Sequence, residues 1–284
     1  DWISTNMGNE TIVSIMSQYV PMHKALTSSK IDYFFESEIF HRFGLKISAA
    51  ALTESNLLLL EFENTTATDI HISLKNFTVN GIVLNNHPGS SPGEHETILA
   101  RTRYVAEIGI TPPTLVQDCF GIDSIADITF LLEIDYDIAE VVSISIPGRD
   151  ATLDTSGVCF LTYESVRATY KGIYYREEEW VGYYMVLYVE NGSSEEIYIE
   201  LEEDSLFLNY RKTAFGTYDA EQYRNFGYVP AGYCGYIILK IDASSIQENN
   251  LQDLDSITEI EMKVLLDFGY IHGEYSERVT FTVP

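Results

Sequence analysis

The sequence predicts an all-β chain folded as two tandem antiparallel β-sandwich units. Two observations carry that reading: apolar residues recur at every second position, and two separated stretches return later in the same order. Residues 59–74 (LLEFENTTATDIHISL) and 186–201 (VLYVENGSSEEIYIEL) agree at six of sixteen positions, among them Glu63/Glu190, Asn64/Asn191, Ile70/Ile197, Ile72/Ile199 and Leu74/Leu201, at an offset of 127. Residues 122–134 and 254–266 then share Asp123/Asp255, Ser124/Ser256, Ile125/Ile257 and Ile128/Ile260, at an offset of 132. Amphipathic strands resemble one another by periodicity alone, but periodicity does not demand identical polar residues at strand ends. A duplication with a short loop insertion explains both matches.

Taken in order, residues 1–30 have no counterpart in the other repeat and form a leader, either a short helix or a disordered segment. Ile12, Ile15, Met16 and Tyr19 are spaced for one helical face ahead of Pro21. The first repeat, 31–147, contains Ile70, Ile72 and Leu74 alternating with His71, Ser73 and Lys75, which is the period of a strand with one wet face. The polar clusters 64–69 and 191–196 lie between apolar runs and read as the turns of β-hairpins. Asn80-Gly81 is the dipeptide of a tight turn with positive φ. Phe130, Leu132 and Ile134, then Val142, Ile144 and Ile146, continue the alternation. Residues 148–157 serve as a linker with Pro147-Gly148 punctuation, short but long enough for hinge motion. The second repeat, 158–284, has its strands at Ile197–Leu201, Met262–Leu266 and Val279–Val283. Seven or eight short strands in ~110–125 residues, without a long helical period, is sandwich patterning.

The alternating strands, the Glu-Asn strand ends, the Asn-Gly and Leu-Asn turns and the I-x-x-I segment resemble the immunoglobulin-like (telokin-like) repeats of predicted surface proteins and lipoproteins of Gram-positive anaerobic bacteria. The resemblance covers residues 31–147 and 160–284. It implies two immunoglobulin-like sandwiches in a secreted or surface-attached protein and implies no chemistry. Antibody-type Cys…Trp…Cys spacing is missing: Cys119, Cys159 and Cys234 supply neither unit with an inter-sheet pair, so packing must hold the cores.

Composition narrows the function classes. Forty-three acidic against 17 basic residues give a net charge of −26, so phosphate neutralisation and hence nucleic acid are poor expectations. No apolar run approaches the ~18 residues of a membrane span, so this chain is not expected to insert into a bilayer. The literal G-x-S-x-G at 89–93, near His87 and His95, sits in a Gly/Pro/Ser loop without the strand–turn–helix setting of a nucleophile elbow. The six histidines form no H-E-x-x-H and the cysteines no C-x-x-C, so no catalytic residue, metal or cofactor is expected. Asp135, Asp137 and Glu140, and Asp253, Asp255 and Glu259, do not match a twelve-residue calcium loop and read as charges solvating strand ends. Glu177-Glu178-Glu179 and Glu202-Glu203-Asp204 read as solvated faces.

One asymmetry between the repeats stands out. Where the first has a small polar loop, the second carries Tyr210, Arg211, Phe215, Tyr218, Tyr223, Arg224, Phe226 and Tyr228. Rigid rings interleaved with arginine are the composition of recognition surfaces; the bland alternative is that they close the sandwich end. The function expected is a non-catalytic extracellular binding, adhesion or structural module with a protein or glycan ligand. Its alternative is a carbohydrate-binding accessory module using this aromatic segment, and an unrecognised enzyme ranks third. Sequons stand at Asn9, Asn64, Asn76 and Asn191.

Overall fold

A computed structural model describes residues 30–35, 38–84, 96–177, 181–216, 226–269 and 271–283. It is all-β: strands β1 (Ile31–Phe35), β2 (Phe40–Arg42), β3 (Leu45–Thr53), β4 (Leu57–Asn64), β5 (Ile70–Val79), β6 (Ile82–Val83), β7 (Glu96–Ile98), β8 (Arg103–Gly109), β9 (Asp127–Ile134) and β10 (Ile138–Ser145) precede β11 (Val158–Tyr163), β12 (Val166–Arg176), β13 (Gly182–Asn191), β14 (Ile197–Leu201), β15 (Phe207–Leu208), β16 (Arg211–Lys212), β17 (Phe226–Val229), β18 (Cys234–Ile241), β19 (Glu259–Phe268) and β20 (Ile271–Thr282). Among the described residues two short α-helices, α1 (Thr114–Phe120) and α2 (Ala243–Glu248), and a 3-10 turn at Leu254–Ser256 interrupt them.

The chain forms two compact units, and neither is one uninterrupted stretch. The first takes Asp1–Val79, Asn86–Pro113 and Ser124–Ala151; the second takes Asn80–Asn85, Thr114–Asp123 and Thr152–Pro284. The leader of the sequence reading lies outside the described residues apart from Lys30.

In the first unit one sheet runs β1-β3-β4-β8, with β2 on β3; in the other, β5 pairs β9 and β7, and β9 pairs β10. The second unit repeats this arrangement, without a counterpart of β2 and with β15, paired to β16, also on β19. One sheet runs β11-β12-β13-β18, and in the other β19 pairs β14 and β20 while β14 pairs β17. These are the two immunoglobulin-like sandwiches that the repeat predicts. The alternation explains the layers: along β9 the burial pattern is one in, one half-out over eight residues, and along β19 over ten. Met185, Leu187 and Val189 of one sheet meet Ile199, Met262 and Val264 of the other in the second unit's core.

The turns at 64–69 and 191–196 are not hairpins, contrary to the sequence expectation. β4 pairs with β3 and β8, whereas β5 pairs with β9 and β7, so Asn64–Asp69 carries the chain from one sheet to the other. The same holds between β13 and β14. A short polar cluster between alternating strands specifies a reversal, but whether the strands pair or face each other depends on long-range partners. Two-residue hairpins do occur at Asn80-Gly81 (φ 51° and 87°) and at the equivalent Asn209-Tyr210 (φ 48° and 64°).

The second unit adds two pieces to its first sheet. β6 extends β18 in parallel, Ile82 opposite Cys234. Helix α1 lies on that sheet's outer face: Phe120 packs 5.6 Å from the Tyr188 ring, and Asp118 pairs with Arg176. The segment after the expected linker is tied to the same place. Lys171, with a side chain only 3% exposed, donates to the carbonyls of Asp154 (2.8 Å) and Ser156 (2.7 Å) and lies 5.1 Å over the Phe120 ring.

Candidate functional site

The most specific polar construction in the molecule occurs twice, once per unit. Asn64 is 1% exposed; its Nδ2 donates to Thr68 O (2.8 Å) and Ile98 O (2.9 Å), while its Oδ1 accepts from Thr66 N (2.9 Å) and Thr66 Oγ1 (2.8 Å). Asn191 is 2% exposed; its Nδ2 donates to Glu195 O (2.8 Å), Val229 O and Pro230 O (both 3.0 Å), and its Oδ1 accepts from Ser193 N (3.0 Å) and Ser193 Oγ (2.6 Å). Each amide thus ties the inter-sheet turn to a strand end, that of β7 in the first unit and that of β17 in the second. The N-x-[ST] spelling at both positions is the spelling of this clasp: the hydroxyl two residues on is a bonding partner of the asparagine.

The clasp marks one end of each sandwich, where β3, β5, β8 and β10 begin and β7 and β9 end. Backbone hydrogen bonds match there too: Thr65 N to Gly44 O and Gly192 N to Ser165 O, Asn64 N to Thr102 O and Asn191 N to Tyr233 O, Thr102 N to Leu99 O and Tyr233 N to Pro230 O. The surface at this end is nevertheless different in the two units. In the first, Phe43 (52% exposed), Leu99 (58%) and Tyr136 (70%) project, and the His71 ring lies tilted 5.8 Å from that of Tyr136 while its Nδ1 pairs with Thr97 Oγ1 at 2.9 Å. Phe43, Arg101, Asp135 and Tyr136 sit in left-handed backbone (φ 53°, 57°, 50° and 64°). Where Leu99 stands the second unit has buried Pro230, and where Arg101 stands it has Gly232 (φ 76°); its β19–β20 turn uses Gly269 (φ 61°). Left-handed backbone costs an L-residue ~1–2 kcal/mol and glycine nothing of that kind.

Of the aromatic segment singled out in sequence, Tyr218, Tyr223 and Arg224 lie outside the described residues, and Phe226 is described as a backbone position in β17, opposite Glu200. The rest is distributed. Tyr210, 76% exposed at the β15–β16 turn, donates to Glu259 Oε2 at 2.7 Å, and that carboxylate holds its hydroxyl proton on, raising its pKa. Arg211 donates to Asn249 O (2.6 Å), and Phe215, 8% exposed, bridges to Ile241 within the core. Tyr228 pairs with Tyr198, which faces Asp267 of β19, and donates to Glu196 Oε2 at 2.8 Å. Tyr210 and Tyr228 are therefore separated by the run of β19 from Glu259 to Asp267, about 27 Å at ~3.4 Å per residue.

Of the acidic candidates, Asp135, Glu140 and Glu259 are held in structural contacts. Asp135 Oδ1 accepts from His71 N (2.8 Å), Glu140 pairs with Arg42 (3.1 Å), and among the described residues no group of His, Cys, Asp and Glu is arranged to hold a metal ion. The G-x-S-x-G stretch lies outside the described residues. Cys159 is the exposed thiol; burial pushes it up, but the Thr162 hydroxyl and Arg167 outweigh that and hold its pKa below the ordinary thiol value.

The chain matches no protein-family model and no curated protein. Among solved structures it is similar to the Salmonella enterica SafA pilin in complex with the SafB chaperone, at 11% identity over 81% of this chain and 90% of that one, with a TM-score of 0.19. It is also similar to the CsuC–CsuE chaperone–tip adhesion subunit pre-assembly complex of Acinetobacter baumannii, at 14% identity over 79% of this chain and 90% of that one, with a TM-score of 0.21. Likenesses this distant assign the chain no function.

Sequence reasoning missed the clasp-end patch of the first unit. Its signal was present as Phe43-Gly44, Arg101 and Asp135-Tyr136, bulky residues at turn positions, but only alignment with Gly232 and Gly269 through the hydrogen bonds makes them unusual.

Proposed function

We propose that the chain is a non-catalytic binding module of an extracellular or cell-surface protein, belonging with the telokin-like repeats its sequence resembles, and that the clasp end of the first unit is its contact surface. The observation that carries this is the difference between two otherwise matching ends. One presents Phe43, Leu99 and Tyr136 on left-handed or turn backbone, while the other has Glu164 (φ 49°) in place of Phe43, a buried Pro230 in place of Leu99, and glycine in its β19–β20 turn. Residues held in sparsely populated backbone regions concentrate at functional sites, and exposed aromatic anchors are what a protein or glycan surface would engage. No helix among the described residues is long and apolar enough to cross a membrane.

The test is a binding array of polysaccharides and glycoproteins read with the intact chain and with Phe43→Ser/Leu99→Ser/Tyr136→Gly. Loss of binding at undiminished stability supports the assignment; binding that survives in this variant refutes it. The carbohydrate-binding reading rests on Tyr210, exposed at a hairpin tip of the second unit. Binding lost in Tyr210→Ala alone would transfer the contact surface there.

A further inference from the structure

The outer face of the first unit's β1-β3-β4-β8 sheet carries an apolar patch, bordered on β4 and β8 by Glu61, Glu63, Arg103 and Glu107, and the second unit shows how such a patch is used. Register places Phe34, Ala51 and Leu59 in one row across three strands, with Ile31 and Leu57 in the row beside it and Val105 on β8. These six pack together, and Ala51 and Leu59 are fully excluded from solvent. They are distinct from the inward-facing Leu58, Leu60 and Phe62 of the same strand. In the second unit the matching face, carrying Tyr174, Tyr184 and Tyr188, receives helix α1 through Phe120 and Cys119. The first unit contains no helix among the described residues.

We infer that the segment 10–20, with Ile12, Ile15, Met16 and Tyr19 at helical spacing, docks on this face of the first unit as α1 does on the second. Three features specify that occupant. Its apolar stripe has the i, i+3, i+4, i+7 spacing of a helix that buries one side. The chain re-enters the described structure at Lys30, directly ahead of β1, the edge strand of this very sheet. The twelve residues from Tyr19 to Ile31 reach up to ~40 Å extended, well beyond the ~15 Å width of four strands at ~4.8 Å spacing. Each sandwich then has one sheet whose outer face is closed by a helical segment from an earlier part of the chain.

The test compares the full chain with Ile15→Asp/Met16→Asp by hydrogen exchange and by binding of a fluorescent apolar-surface dye. The expected result is faster exchange in 10–20 and in β1, increased dye fluorescence, and unchanged exchange in 182–191 of the second unit. Equal exchange and dye binding in the two proteins overturns the inference. So does protection of β1 that rises with protein concentration in both, which would give the face to a second copy. As a measurement independent of folding defects, Met16→Cys/Leu57→Cys, in a chain with Cys119, Cys159 and Cys234 replaced by alanine, is expected to close a disulfide under mild oxidation. Failure to close it, with cooperative unfolding retained, also overturns the inference.

Discussion

Replacing Asn191 by alanine removes both amide N–H donors, one of them shared between Val229 O and Pro230 O, together with the two bonds accepted by Oδ1. A typical intramolecular hydrogen bond contributes ~1 kcal/mol net, and a buried partner left unsatisfied costs ~1–3 kcal/mol. Ser193 and Glu195 border solvent and can turn to water, but the Val229 and Pro230 carbonyls belong to buried residues. The loss is therefore about 3 kcal/mol, and with a urea slope of ~2 kcal/mol/M the midpoint falls by about 1.5 M. Asn191→Asp is the sharper variant. It keeps shape and acceptor but replaces the amide donor by an oxygen facing three carbonyl oxygens, so it must destabilise at least as much as alanine at neutral pH. Asn64→Ala, with four such bonds, is expected to lose ~2–3 kcal/mol. The assay is urea unfolding followed by tyrosine fluorescence and circular dichroism. A midpoint within ~0.3 M of wild type for Asn191→Asp would refute the clasp as the determinant of the inter-sheet turn.

Other outcomes follow from the same structure. Arg103 pairs at 3.1 Å with Glu61, whose side chain is only 6% exposed, so Arg103→Met strands a buried carboxylate and costs about 3 kcal/mol in unfolding, with Glu61→Gln in the same chain recovering part of it. Lys171→Met removes two charge-assisted bonds to 154–156 and lowers stability by about 2 kcal/mol, with the new protease sensitivity mapping to 148–157. The Ser156 hydroxyl and N–H hold the Asp154 pKa below the ordinary carboxylate value; its stabilising contribution is complete above that ordinary value and disappears as pH falls through the depressed one, so Asp154→Asn flattens the acid limb of the stability profile. Iodoacetamide should alkylate Cys159 first, because the Cys119 and Cys234 thiols are pushed up by burial; equal rates at all three would contradict the packing around α1 and β18.

Much of the layering was legible because alternation is a local signal: Ile70–Leu74, Phe130–Ile134 and Met262–Leu266 show the pattern and are strands. The Asn80-Gly81 turn announced itself by composition, whereas its equivalent Asn209-Tyr210 did not, since tyrosine at positive φ is not a turn signal. Helix α1 has only seven residues, too few for a helical period, although Pro112-Pro113 ahead of it was a start signal. The pairing partners of β4 and β5 were not legible, because residues 64–69 specify a reversal and nothing about which sheet receives the next strand. The aromatic segment looked like one surface in sequence because adjacency there ignores the ~3.4 Å per residue that β19 places between Tyr210 and Tyr228.

The second unit's use of 80–85 and 114–123 bears on how such a protein could be inherited and cut. A gene fragment encoding only 158–284 would deliver a sheet without the strand beside Cys234 and without the helix over Tyr188. A fragment ending at 147 would carry both pieces with nothing to receive them. The pair, rather than the single repeat, is then the unit that recombination can move intact. A cut between β8 and α1 would leave β5 paired with β9 across the break.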